Sequence, residues 1–142
     1  MRYRMGAALL SLIGTLVATY LYLFKLGLIP GLACGTGGCD TVQASPWATF
    51  AGLPVALIGV VGYLACLGLA LIGLQQEGER RHWSDALLLG GSAVGVLFTG
   101  WLTYAEAVLI DAWCRWCIGS AVIISLLCLC ALLGWRSLRP AP

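Results

Sequence analysis

Polar residues are sparse along this chain, and between them lie four long runs that are apolar on every face: residues 7–24, 54–74, 86–108 and 118–135. A hydrocarbon core about 30 Å thick takes roughly 20 helical residues to cross, so each run predicts a membrane-spanning helix. Together they predict an all-α, polytopic membrane protein, a four-transmembrane-helix bundle in which residues 1–142 form a single membrane domain. Gly91 and Gly95 make a small-xxx-small pair, and Gly59, Gly62, Gly68 and Gly73 thin the second run, so backbones are expected to approach closely. The longest break covers residues 26–53. Helix–helix links are usually about 2–8 residues, so this segment is read as functional or disordered rather than as a mere connector. Its stretch from Ser45 to Gly52 predicts a short interfacial cap helix, with Ser45 as N-cap, Pro46 in the first turn and Gly52 as the stop. Trp47 and Phe50 suit its membrane-facing side.

Composition agrees that the solvent is a bilayer: 61% of residues are hydrophobic, 10% are charged and the mean hydropathy is +0.95. A net charge of +2 from scattered basic residues gives no footprint for nucleic acid. The positions of those residues report sidedness instead. Arg2, Arg4, Arg80, Arg81, Arg136 and Arg139 fall at one end of the predicted bundle, and only Lys25 and Arg115 at the other. Basic residues are retained in the cytoplasm, so both termini are expected there, in a multi-pass inner-membrane protein whose 26–53 segment is periplasmic. The N-terminus has the basic start of a secretory signal. Its apolar run exceeds the usual length of such a signal, so the first span is expected to be kept.

Seven cysteines divide into two spaced pairs and three single residues inside apolar runs. Cys114-Arg115-Trp116-Cys117 is a C-x-x-C placed where a loop turns into the fourth span. A helix N-terminus and a neighbouring cation both favour thiolate over thiol. Cys34 and Cys39 flank Gly35-Thr36-Gly37-Gly38, a backbone free enough to change shape while disulfide partners are exchanged. Both pairs fall on the face where disulfides persist, which points to thiol–disulfide exchange. Cys66, Cys128 and Cys130 lie deep in apolar runs and are read as packing residues. Glu106, near the end of the third run, is an ionisable group at membrane depth and a candidate for proton delivery, with interfacial snorkelling as its plainer role. Ser45 has a second candidate role, hydrogen-bonding a ligand carbonyl or a thiolate. Trp101, Tyr104, Trp113 and Trp116 suit either an aromatic belt or a ring-binding pocket, and His82 falls at the end opposite the cysteine pairs. The competing reading is a membrane metal site in which the four paired cysteines hold zinc or copper(I).

The ordered set of Cys34, Cys39, Asp40, Val42, Ser45, Phe50-Ala51-Gly52-Leu53-Pro54, Gly59, Tyr63 and Cys114 to Cys117 resembles the bacterial branch of the vitamin K epoxide reductase family over most of the chain. The resemblance implies a bundle around a quinone, ubiquinone or menaquinone, capped by the loop and its short helix. It implies that Cys117 is the thiol beside the quinone, Cys114 its exchange partner, Cys39 the residue that forms a transient disulfide with Cys114, and Cys34 the one that meets an external thiol protein. Ser45, Trp47, Phe50, Tyr63 and Glu106 are the residues expected around the quinone. The Asn and Tyr that contact vitamin K in animal members would fall at Val55 and Ala121, so plain quinone reduction coupled to protein disulfide formation is expected. Some bacterial members carry a fused thioredoxin-like domain. Here the sequence ends soon after the fourth span, and the expected partner is a separate thioredoxin-fold periplasmic protein.

Overall fold

The computed structural model describes residues 2–30 and 38–139. Among the described residues, four helices are long and apolar enough to cross a membrane. They are α1 (Arg2–Lys25), α3 (Val55–Gln75), α4 (Glu79–Tyr104), which continues through a π-helical turn at Ala105–Ile110, and α5 (Arg115–Arg136). α1, α4 with its π-helical turn, and α5 overrun their predicted apolar runs, because helical hydrogen bonding carries on into the polar flanks that hydropathy alone excludes, whereas α3 is shifted by one residue at each end. Around the bundle α1 packs on α3 and α5, and α4 packs on the same two. The core between them holds Ala7, Ala18, Tyr63, Cys66, Ala70, Leu88, Ile124, Leu127 and Ala131.

Small residues decide how closely these helices meet. A methyl group on Gly95 would lie 2.9 Å from Ile124, and one on Gly59 would lie 3.3 Å from Ala18, so both glycines serve helix contacts as expected. Gly91 and Gly62 would meet nothing within 4 Å and instead line a cavity. The tightest side-chain seat is one the sequence did not announce. A methyl on Gly14 of α1 would lie 2.2 Å from the Tyr63 ring, so only glycine lets that ring lie flat against the helix.

Between α1 and α3 the described residues from 38 on fold into a cap whose full helix precedes the predicted position. Helix α2 (Gly38–Ala44) comes first, followed by a single 3-10 turn at Pro46–Ala48. The strands β1 (Thr49–Phe50) and β2 (Leu53–Pro54) then pair antiparallel, with Phe50 opposite Leu53. The predicted helix from Ser45 to Gly52 is therefore corrected to a turn and a hairpin. Ala51 and Gly52 both take positive φ, 54° and 82°, which is the backbone of a two-residue hairpin turn rather than of a helix stop. Ser45 stands at the start of the 3-10 turn but caps nothing there. Its hydroxyl turns back and donates to the Val42 carbonyl at 2.6 Å, closing α2. The last carbonyls of α2 are further satisfied by Lys25 at the end of α1, whose Nζ donates to the Gln43 carbonyl at 2.8 Å.

The far end of the bundle is held by charge. Arg4 of α1 and Asp85 of α4 form a buried two-point pair, with Nε to Oδ1 at 3.1 Å and a second contact from Nη2 to Oδ2. Gly73 of α3 packs beside the pair, where a methyl would lie in ordinary contact with Asp85 at 3.4 Å. His82 of α4 sits edge-on to Trp135 of α5 at this same end.

Candidate active site

The C-x-x-C sits where α4 stops and α5 starts. The π-helical turn at Ala105–Ile110 widens the last turn of α4, Asp111 takes a left-handed φ of 55°, and the N–H of Ala112 donates back to the Glu106 carbonyl at 3.2 Å. This break turns Glu106 inward. It is 3% exposed, so it does not snorkel, and its Oε2 accepts from the backbone N–H of Cys114 at 3.2 Å. Cys114 is the N-cap of α5, and its Sγ accepts from the N–H of Cys117 at 3.3 Å. The Cys114 thiol is thereby held below the ordinary cysteine value, first by its hydrogen bond with the Cys117 side chain and then by the N–H groups of Cys117 and Trp116. Burial and the charge of Glu106 oppose this without reversing it.

Helix α2 brings the loop cysteine to the same place. A methyl group on Gly38 would lie 2.3 Å from the carbonyl oxygen of Trp113, so α2 begins backbone-on-backbone against the residue preceding Cys114. One residue further along each segment, Cys39 and Cys114 are both fully buried and belong to one apolar cluster with Leu21, Val42 and Ala56. Cys39 is disulfide-bonded, while Cys66, Cys114, Cys117, Cys128 and Cys130 are free. Cys34 lies outside the described residues.

Cys117 opens onto a cavity of about 400 Å³. Its walls are overwhelmingly apolar and come from every helix and the cap: Leu21, Val42, Trp47 and Phe50 near the cap, Val55 and Tyr63 on α3, Phe98 on α4 and Ile124 on α5 are examples. Gln43 and Glu106 bring polar atoms to the Cys117 end. The Gln43 Nε2 donates to the Cys117 Sγ at 3.5 Å, and Glu106 lies within side-chain hydrogen-bonding reach of the same thiol. Further in, the Tyr63 hydroxyl donates to the Ser120 carbonyl at 2.8 Å and lies 2.9 Å from its hydroxyl. A flat, apolar ring with polar edges fits such a space.

Among the residues expected here, Trp47, Phe50, Tyr63, Glu106 and Cys117 line the cavity; Ser45 does not. Trp101 and Tyr104 stack on each other at the exposed side of α4, and Trp101 meets Trp47 edge-on at 6.0 Å. Phe50 meets Phe98 likewise at 5.7 Å. Trp116 packs on Tyr20 instead of lining the cavity. Cys66 reaches the cavity wall deep in the bundle, and Cys130 packs against Gly6 of α1. Among the described residues, no three His, Cys, Asp or Glu side chains are arranged to hold a metal. Gln43 is the site residue that sequence reasoning missed; its only signal is its position one helical turn beyond Cys39.

The chain matches the profile of the Vitamin K epoxide reductase family across residues 6–132, a span that takes in the cap, the cavity and the C-x-x-C. It belongs to that family, a quinone-linked group of membrane oxidoreductases.

Proposed function

We propose that this chain is a membrane thiol–quinone oxidoreductase that oxidises a periplasmic thioredoxin-fold protein and delivers the electron pair to ubiquinone or menaquinone, supporting protein disulfide formation. The observation that carries this reading is the meeting of Cys39, Cys114 and Cys117 at one end of an apolar cavity. In this reading Cys34 and Cys39 form the outer disulfide. A thiolate of the partner attacks it, the partner leaves as a disulfide, and Cys34 and Cys39 become thiols. Cys39 then attacks an oxidised Cys114–Cys117 pair at Cys114, releasing Cys117, and Cys34 closes back on Cys39 to release Cys114.

Closure of Cys114 on Cys117 then gives up two electrons and two protons, and the quinone supplies the two-electron, two-proton acceptor chemistry. Glu106, buried against both cysteines, carries a thiol proton in this step. Trp47, Phe50 and Tyr63 shape the ring site. Val55 offers the cavity no hydrogen bond, which favours plain quinone reduction over reduction of an epoxide. In this reading both termini are cytoplasmic and the cap is periplasmic, which is supported by the basic residues at the opposite end, since Lys and Arg are retained on the cytoplasmic side.

The test is a secreted reporter that needs a disulfide, in cells relying on this protein. Cys114→Ala and Cys117→Ala should each abolish reporter oxidation, whereas Cys128→Ala should preserve it. Retained oxidation with Cys117→Ala would remove the thiol from the pathway and the reading with it.

A further inference from the structure

The two inner cysteines draw on different donors. The free N–H groups at the start of α5 converge on Cys114, and the N–H of Cys117 itself is spent there. Cys117 lies one turn into the helix, where the helix terminus offers its sulfur no N–H of its own. Around that sulfur the titratable groups among the described residues are Glu106 from the π-helical turn and Cys114 from the start of α5, with Tyr63 of α3 further along the cavity wall. None of these is a cation. An anionic sulfur facing an apolar cavity needs a donor, and α2 supplies one: the Gln43 Nε2, 3.5 Å from Sγ on a side chain that is 7% exposed.

We propose that the Gln43 carboxamide is a catalytic residue of this site, the donor that holds Cys117 as a thiolate when Cys114 is engaged in another bond. The inference rests on the thiol–quinone reading, in which Cys114 must spend part of each cycle bonded to Cys39. During that interval Cys114 shares no thiol proton, and Cys117 alone carries the charge that leaves or attacks. The proton balance is local: the Cys117 thiol proton passes to the Glu106 carboxylate, and the negative charge remains on Sγ against the Gln43 N–H. Placement of the amide is fixed from both ends of α2. Gly38 abuts Trp113 at the start, and Lys25 holds the Gln43 carbonyl at the finish.

Alkylation of Cys117 by iodoacetamide, followed by mass spectrometry on the reduced full chain in a Cys114→Ala background, reads this role directly. Replacing Gln43 with the apolar isostere in Gln43→Met should slow Cys117 alkylation at pH 7 roughly tenfold, the scale of one hydrogen bond to a charged group. Gln43→Glu should slow it further, and both gaps should close as rising pH forms the thiolate unaided. Equal rates in all three proteins, or a gap that persists at high pH and so reports access alone, would overturn the proposal. Should Gln43→Met fail to fold, Lys25→Met frees the carbonyl end of α2 from outside the cavity and should slow Cys117 in the same direction; an unchanged rate there counts against the proposal. Mixing reduced wild-type protein with decylubiquinone separates the two layers. No quinone reduction would sink the thiol–quinone reading while leaving the alkylation result for Gln43 standing.

Discussion

Cys114 and Cys117 are three residues apart, yet their surroundings assign them different work. Cys114 is an N-cap sulfur receiving a backbone N–H, and its thiol lies below the ordinary cysteine value. The charge of Glu106 pulls the other way. Glu106→Gln deletes that charge, so thiolate should form more easily, and the midpoint of Cys114 alkylation against pH should move to lower pH. A move to higher pH would mean that Glu106 acts chiefly as the acceptor for the Cys114 N–H. These cysteines were legible in the sequence because C-x-x-C at a helix mouth is a local pattern. Gln43 was not: nothing in the run Asp40-Thr41-Val42-Gln43 says that its amide faces a sulfur contributed 74 residues later.

At the scale of elements, the spans were legible and the cap was not. Four uniformly apolar runs admit one solution in a bilayer, because every backbone polar group must be paired within its own segment. The cap obeys weaker rules. Pro46 and Gly52 fit both a short helix and a turn-plus-hairpin, and pairing of Phe50 with Leu53 across a positive-φ turn decided between them. Likewise no residue type marks the π-helical turn, although an acidic residue in an apolar run was a fair sign that the helix there does something unusual. The cap holds to α4 through Trp47 on Trp101 and Phe50 on Phe98. Such pairs are worth about 0.5–1.5 kcal/mol each beyond their buried area. Trp47→Ala or Phe50→Ala should therefore raise the quinone KM by up to about tenfold with a smaller effect on kcat, in steady-state assays of quinone absorbance.

For the whole molecule, most of the arginines and the cysteine chemistry sit at opposite ends. The arginines counted for sidedness include Arg4, which is not a solvated flank but one half of a buried pair with Asp85. Pattern reading could place Arg4 at that end; only packing reveals its partner 81 residues away. Arg4→Ala leaves an unpaired buried carboxylate and should cost about 3–5 kcal/mol in SDS unfolding titrations. The double replacement Arg4→Met with Asp85→Leu should recover most of that loss. If the single and double variants were equally unstable, the pair would not be what ties α1 to α4.

The central claim is that the thiols at the mouth of the cavity give their electrons to a quinone inside it. Anaerobic mixing of fully reduced protein with ubiquinone and menaquinone analogues, following quinone absorbance and free thiols together, tests it most directly. The account predicts one quinone reduced for every two thiols lost, with the loss confined to Cys34, Cys39, Cys114 and Cys117 and no reaction in Cys117→Ala. Quinone absorbance that stays constant while all thiols persist would contradict it.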